Sequence, residues 1–114
     1  MMQVLLTGAD DEGLGAALEA LGAEVTRVEG IATRESLDAA GLEAAHTLVL
    51  TEMDDASAIP VAKEANTEIR IVAYSRDSLP EFARGQADLA IDPALLAADV
   101  VAEELVDGRV DTEA

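Results

Sequence analysis

The sequence predicts a three-layer α/β fold with a parallel sheet of about five strands. Short apolar runs recur along the chain and alternate with segments in which apolar residues are spaced as on one face of a helix. Such alternation is typical of parallel strands joined by helices that cover both faces of the sheet. The chain has 114 residues, of which 50% are hydrophobic, so it is long enough for one core and too short for two.

The first half of the chain predicts three strands and two helices. An apolar run at residues 3–7 predicts the first strand, and a helix follows whose apolar residues recur at helical spacing: Leu14, Ala17, Leu18 and Leu21. Gly22 ends this helix, and residues 24–28 supply the second strand. Thr33 is a suitable N-cap for a helix over residues 34–40 that Gly41 closes. Residues 47–50 then form the third strand.

The second half predicts two more strands and three helices. A helix covers about residues 55–65, a strand residues 69–73, a short helix residues 78–84, and a strand residues 87–91. The last helix is expected to start with Asp92 as N-cap and Pro93 in the first helical position, and to end at Gly108. One domain is therefore expected over residues 1–107, followed by an acidic tail over residues 108–114.

The charge of the chain restricts its partners and its surroundings. Asp and Glu number 24 against 7 Lys and Arg, which gives a formal net charge of -17, and Lys63 is the only lysine. Nucleic acid is excluded as a partner because binding a phosphate backbone relies on cationic side chains. Spread-out acids, scarce lysine and 2% aromatic residues are typical of a protein that works in molar salt. At about 1 M ionic strength the Debye length is roughly 3 Å, so the repulsion between the acidic side chains is screened.

Other features argue against catalysis and against a membrane location. The chain contains no Cys, so disulfides, thiolate catalysis and cysteine zinc sites are not available. No basic leader or apolar segment of transmembrane length is present, so we expect a cytoplasmic protein that is not membrane-inserted. His46 has no obvious second ligand, and the serines lack a nearby base. We therefore expect no enzyme activity and no metal.

The most informative motif is VLLTGADDEGLG at residues 4–15. In a dinucleotide-binding turn the first glycine makes the bend, the second lets the backbone approach a pyrophosphate, and the third lets the helix pack on the strand. Gly8 and Gly13 suit the first and third roles. Asp10 stands in place of the second glycine, where it adds bulk and negative charge at the position of the phosphate.

The chain resembles the N-terminal nucleotide-binding domain of potassium-transport regulators, the TrkA-N or RCK type, over residues 3–107. The likeness rests on the strings AGLEAAHTLVLT at 40–51, DD at 54–55 with AKEAN at 62–66, and ADLAIDP at 87–93. The resemblance implies a Rossmann-like sheet of order 3-2-1-4-5. It also implies that Glu29 holds the ribose of an adenine nucleotide, NAD(H) or ATP/ADP. The remaining implied binding residues are Gly8, Ala9, Asp10, Asp11 and Gly13 in the turn, with Thr51 and Glu52 on the adenine side.

The main hypothesis is therefore a regulatory module that binds a nucleotide weakly without chemistry and signals to a separate transport or regulatory partner. One alternative is a scaffold that has lost its ligand and acts as a homodimer. Another is a pseudo-receiver, because the chain also weakly resembles response-regulator receiver domains. In that reading the sheet has the order 2-1-3-4-5, Glu52 takes the place of the phosphoacceptor aspartate, and Asp92-Pro93 replaces Lys-Pro. Only that order brings the acidic turns at residues 10–12 and 52–55 together, where Mg²⁺ could bind.

Overall fold

A computed structural model describes residues 2–28 and 30–111. It contains a five-stranded parallel sheet with helices on both faces, so the predicted three-layer α/β fold is confirmed. The elements in chain order are β1 (Gln3–Thr7), α1 (Leu14–Ala20), β2 (Glu24–Val28), α2 (Arg34–Ala39), β3 (Thr47–Leu50), α3 (Ala58–Ala65), β4 (Arg70–Tyr74), α4 (Glu81–Arg84), β5 (Leu89–Ile91) and α5 (Ala98–Asp111). Short 3₁₀ turns at Leu42–Ala44 and Met53–Asp55 precede β3 and α3. None of the described helices is long and apolar enough to span a membrane.

The strands lie in the order β2-β1-β3-β4-β5, so the predicted order 3-2-1-4-5 is wrong. Strand β3 pairs with β1 along Val4↔Thr47 to Thr7↔Leu50 and with β4 on its other side. Every residue of β3 is buried, whereas β2 exposes Glu24 and Arg27. A strand inside a parallel sheet must be covered on both faces. The polar strand β2 therefore takes the edge and the apolar strand β3 the interior.

Two apolar clusters fill the spaces on either side of the sheet. Side chains alternate along β1, so that Val4 and Leu6 face one cluster and Leu5 faces the other. The first cluster is completed by α1 and α5 through Leu14, Leu18, Val101 and Leu105. The second is completed by α2, α3 and α4 through Leu37, Ile59, Ala62 and Ala83. This division follows from right-handed crossovers, because the connection from β2 to β3 runs in the opposite direction to that from β1 to β2.

The helix ends agree with the sequence at α2 and differ at α5. Thr33 caps α2, since its hydroxyl accepts a hydrogen bond from the amide of Ser36 at 3.1 Å. The predicted start of the last helix at Asp92 is wrong, because a separate turn precedes α5: the Asp92 carboxylate accepts the Ala94 amide at 2.8 Å. Helix α5 also continues past the predicted end at residue 108 to Asp111, and residues 112–114 of the predicted tail lie outside the described part.

Candidate functional site

The turns that follow β1 and β3 meet at the carboxyl edge of the sheet. Ligands of open α/β sheets bind at such an edge, where neighbouring strands send their connections to opposite faces. Here the amide of Ala9 donates to Glu52 Oε2 at 2.9 Å, and the buried hydroxyl of Thr7 donates to Asp55 Oδ2 at 3.0 Å. The acidic turns are thus brought together, as the alternative order 2-1-3-4-5 predicted. The carboxylates of Glu52 and Asp55 thereby join the segment after β3 to the end of β1 and the turn that follows it.

Gly8 makes the bend at the centre of this edge. Its φ of +97° lies in the left-handed region, which residues with a side chain rarely adopt. A Cβ atom at this position would collide with Thr51 Oγ1 and would lie 3.2 Å from Glu52 N. Thr51 itself is held against β1, because its amide donates to the carbonyl of Thr7 at 3.1 Å. The predicted residues Gly8, Ala9, Thr51 and Glu52 therefore form one packed unit.

The carboxylate of Asp10 lies at the N-terminal end of α1. Its Oδ1 accepts the amide of Gly15 at 3.0 Å, and its Oδ2 pairs with Arg27 Nη2 at 3.2 Å. Arg27 also reaches Glu19, at 3.4 Å, and these hydrogen bonds, first to Glu19 and then to Asp10, raise the pKa of its guanidinium. Sequence analysis identified Asp10 but missed Arg27. The negative charge at the amino end of α1 is therefore the carboxylate of Asp10.

The other predicted binding residues have different surroundings. Gly13 precedes α1 with a φ of +80°, and nothing lies within 4 Å of a Cβ placed there. The prediction that Gly13 allows close packing of helix on strand is therefore wrong. At Gly15, by contrast, a Cβ would lie 2.7 Å from Arg27 Nη2 of β2 and 2.8 Å from Asp10 Oδ2, so these two side chains lie close to the helix backbone there. Asp11 lines an open cleft described below, and Glu29 lies outside the described residues.

A cleft of about 320 Å³ opens beside these turns. Its walls include Asp11, Glu12, Glu52, Tyr74 and Arg76. Arg76 faces Glu12 at 3.6 Å, so the cationic group of this cleft already has an acidic neighbour. Among the described residues, no group of three or more acidic or histidine side chains is arranged to hold a metal ion. The cleft is small, and three acidic residues and one arginine line it.

Tyr74 closes the floor of this cleft from the end of β4. Only 2% of its surface is exposed, and its hydroxyl donates to the carbonyl of Leu96 at 2.8 Å. Burial raises the pKa of Tyr74, and the negative charges of Glu12 and Asp99 raise it further. The hydroxyl therefore fixes the chain between β5 and α5, a role that sequence analysis did not anticipate.

The raised pKa of Tyr74 predicts a loss of stability in alkali. Unfolded tyrosine ionises near pH 10, so the stabilisation by the neutral hydroxyl is complete below that pH and disappears as the pH rises through the higher pKa of the folded protein. The chain has one Tyr and no Trp, so the ultraviolet absorbance of phenolate reports Tyr74 alone. We expect phenolate to appear only as the protein unfolds.

The matched variant is Tyr74→Phe, which keeps the ring and removes the hydroxyl. It should lose about 1 kcal/mol at neutral pH, because the carbonyl of Leu96 is left unpaired. Its free energy of unfolding should then depend less on pH than that of the parent above about pH 10. Ionisation of Tyr74 at an ordinary pKa in the folded protein would contradict its burial.

Comparison with solved structures shows which proteins share this architecture. An orphan response regulator of H. pylori is similar with a TM-score of 0.72 and 18% identity over 93% of this chain and 94% of the other. An atypical orphan response regulator, described as having a phosphorylation-independent regulatory mechanism, gives a TM-score of 0.68 and 17% identity over 90% and 91%. GsuK bound to ADP gives a TM-score of 0.63 and 20% identity, and the match covers 91% of this chain but 34% of GsuK.

These likenesses show a shared fold, and the order 2-1-3-4-5 is that of flavodoxin-like doubly wound sheets. Two of these three structures are response regulators, and the similarity to GsuK supports the TrkA-N resemblance only weakly. A model of a family of unknown function, DUF7126, matches residues 4–105. No curated protein matches the sequence.

Proposed function

The chain belongs to the family of unknown function DUF7126, and we propose that its domain is a receiver-like regulatory module that works without accepting a phosphoryl group. The observation that carries the proposal is the internal bonding at the edge where β1 and β3 end. Glu52, which the receiver resemblance assigns to the phosphoacceptor position, accepts a hydrogen bond from the Ala9 amide, and Asp55 accepts one from the Thr7 hydroxyl. The atypical response regulator with a similar fold is itself described as phosphorylation-independent.

Charge in the cleft also argues against phosphoryl transfer. The transferred group carries negative charge that metal ions and cationic side chains must stabilise. In this chain Asp92 and Pro93 follow β5, where receiver domains are expected to have Lys-Pro. The nearest cation, Arg76, lies beside Glu12. An incoming phosphoryl donor would therefore meet Asp11, Glu12 and Glu52 with little compensating positive charge.

Nucleotide binding is the second candidate. It is favoured by the left-handed glycine turn at Gly8 and Gly13, and a protein of similar fold was solved with ADP. The Asp10 carboxylate opposes it, because it already accepts the Gly15 amide and pairs with Arg27. A pyrophosphate at this turn would have to displace that carboxylate. Regulation of potassium transport would follow only if such a nucleotide binds.

The test is a titration of isotope-labelled protein in molar potassium chloride with acetyl phosphate and Mg²⁺. We expect no added phosphoryl mass and no saturable amide shifts at residues 8–12 and 51–55, because the carboxylates of Glu52 and Asp55 are already hydrogen-bonded. A hydroxylamine-labile phosphoryl adduct that Glu52→Gln abolishes would overturn the proposal. The matched control is Glu43→Gln, which changes an exposed acid away from this edge.

The same samples also test the second candidate function, nucleotide binding. Titration with NAD, NADH, ATP or ADP should leave the parent spectrum unchanged. Saturable shifts confined to the two turns would favour a nucleotide module instead. In that case Asp10→Gly should bind more tightly than the parent, because it removes a carboxylate from the position of the phosphate.

A further inference from the structure

A cavity of about 420 Å³ lies between α4 and the carboxyl ends of β4 and β5, and we call it the α4 cavity. Helix α4, Glu81–Arg84, is a single turn, and the side chains that line the cavity from the strands are small. Ala90 of β5 pairs with Ala73, which packs in the second apolar cluster, yet Ala90 itself is exposed. Sites for small molecules typically enclose about 300–1,000 Å³ and combine an apolar lining with a few polar groups.

Arg84 lines this cavity and has no acidic partner among the residues that the structure describes. Its Nε donates to the carbonyl of the preceding loop, at Leu79, over 3.1 Å, and this bond fixes the side chain. Four other cationic side chains lie 3.6 Å or less from a carboxylate: Arg27, Arg34, Lys63 and Arg76. The Nη edge of a guanidinium binds a carboxylate through two parallel hydrogen bonds. Arg84 therefore offers the cavity a positioned site for a carboxylate.

Two acidic residues, Asp77 and Asp92, line the same cavity without pairing with Arg84. Asp92 is half-buried after β5, and its Oδ1 accepts the Ala94 amide at 2.8 Å, whereas Asp77 is exposed. Within the described part of the chain, no cationic side chain is within ion-pair distance of either carboxylate. Arg76 is the second arginine of the cavity, so the lining residues carry two positive and two negative charges. A ligand that bridges Arg84 and Asp92 therefore carries a charge of each sign.

We propose that the α4 cavity binds a free α-amino acid with an apolar side chain. The carboxylate of the ligand binds Arg84, its ammonium group binds Asp92, and its side chain lies against Ala90. Such a ligand has no net charge, so its binding does not require the long-range attraction that molar salt screens. Direct hydrogen bonds between oppositely charged groups hold it in place. Glu52 and Asp55 do not line the cavity, so the inference stands or falls separately from the absence of phosphoryl transfer.

The test titrates isotope-labelled protein in molar potassium chloride with L-leucine and with two analogues that keep its branched chain. Isocaproate lacks the ammonium group, and isoamylamine lacks the carboxylate. We expect L-leucine to cause saturable amide shifts at residues 75–79, 84, 87 and 90–92. Each analogue should bind at least about tenfold more weakly, because it lacks one of the two charged groups. No saturable shift with L-leucine, or equal binding of L-leucine and either analogue, would contradict the proposal.

Two pairs of variants locate the site. Arg84→Gln should weaken binding of L-leucine at least about tenfold, whereas Arg34→Gln, at an exposed arginine of α2 outside the cavity, should leave it unchanged. Ala90→Leu fills the cavity without altering Arg84, so it should abolish the saturable shifts while thermal unfolding shows that the domain remains folded. Ala20→Leu makes the same change at an exposed alanine of α1 and should bind as the parent does. Parent-like binding by Arg84→Gln or by folded Ala90→Leu would place the ligand elsewhere and overturn the assignment.

Discussion

Replacing Gly8 by alanine should destabilise the domain by about 3 kcal/mol. Two effects combine, because alanine at a φ of +97° costs about 1 kcal/mol and forcing an atom into a packed space costs typically 1–3 kcal/mol. The new methyl group would meet Thr51 Oγ1 and the backbone of Glu52, which join β1 to β3. Denaturant unfolding in molar potassium chloride measures the loss, followed through the fluorescence of Tyr74.

Gly13→Ala is the matched control. Gly13 has a similar φ of +80° but no atom within 4 Å of the new methyl group, so only the backbone cost of about 1 kcal/mol remains. The double variant Gly8→Ala/Thr51→Ala should lose less than the sum of the two single changes, because it removes the nearest colliding atom. Equal free energies of unfolding for the Gly8→Ala and Gly13→Ala variants would contradict the packing of the turn after β1 against the segment after β3.

The main hypothesis predicted the wrong strand order, whereas the pseudo-receiver alternative gave the observed one, and the composition of the strands favoured it. Alternating strands and helices predict a parallel α/β sheet whichever side of β1 the third strand takes. The composition of the strands distinguishes the two orders, since EVTRV at β2 has three polar residues and TLVL at β3 has one. A polar strand suits an edge and an apolar strand suits the interior. The predicted order 3-2-1-4-5 came from the family resemblance alone.

The candidate site was predictable in part. The positions of Gly8, Asp10, Thr51 and Glu52 followed from the rule that strand ends meet at one edge. The partners of these residues could not be predicted, because they depend on register and on side-chain reach. Arg27 reaches Asp10 from the neighbouring strand, where Leu6 pairs with Arg27. Nothing in the sequence indicates that a long side chain in β2 contacts a turn residue 17 positions earlier in the chain.

The domain should be markedly less stable in dilute buffer than in molar potassium chloride. Its net charge is -17, and it measures 28 × 28 × 26 Å. At about 0.01 M salt the Debye length is roughly 30 Å, so the acids repel one another across the whole molecule, whereas at about 1 M it is roughly 3 Å. We expect the midpoint of thermal unfolding to rise by about 10 °C, which corresponds to about 2 kcal/mol for a domain of this size.

Changing Glu35, Glu43, Glu68 and Glu104 to glutamine separates this electrostatic effect from other actions of salt. All four side chains are exposed, so the variant lowers the negative charge without touching the core. Its midpoint should rise less between dilute and molar salt than that of the parent. The matched control changes the same four residues to aspartate, which keeps the charge and should keep the full salt dependence. If both variants respond to salt as the parent does, repulsion among these acids does not limit stability, and the acidic composition needs another explanation.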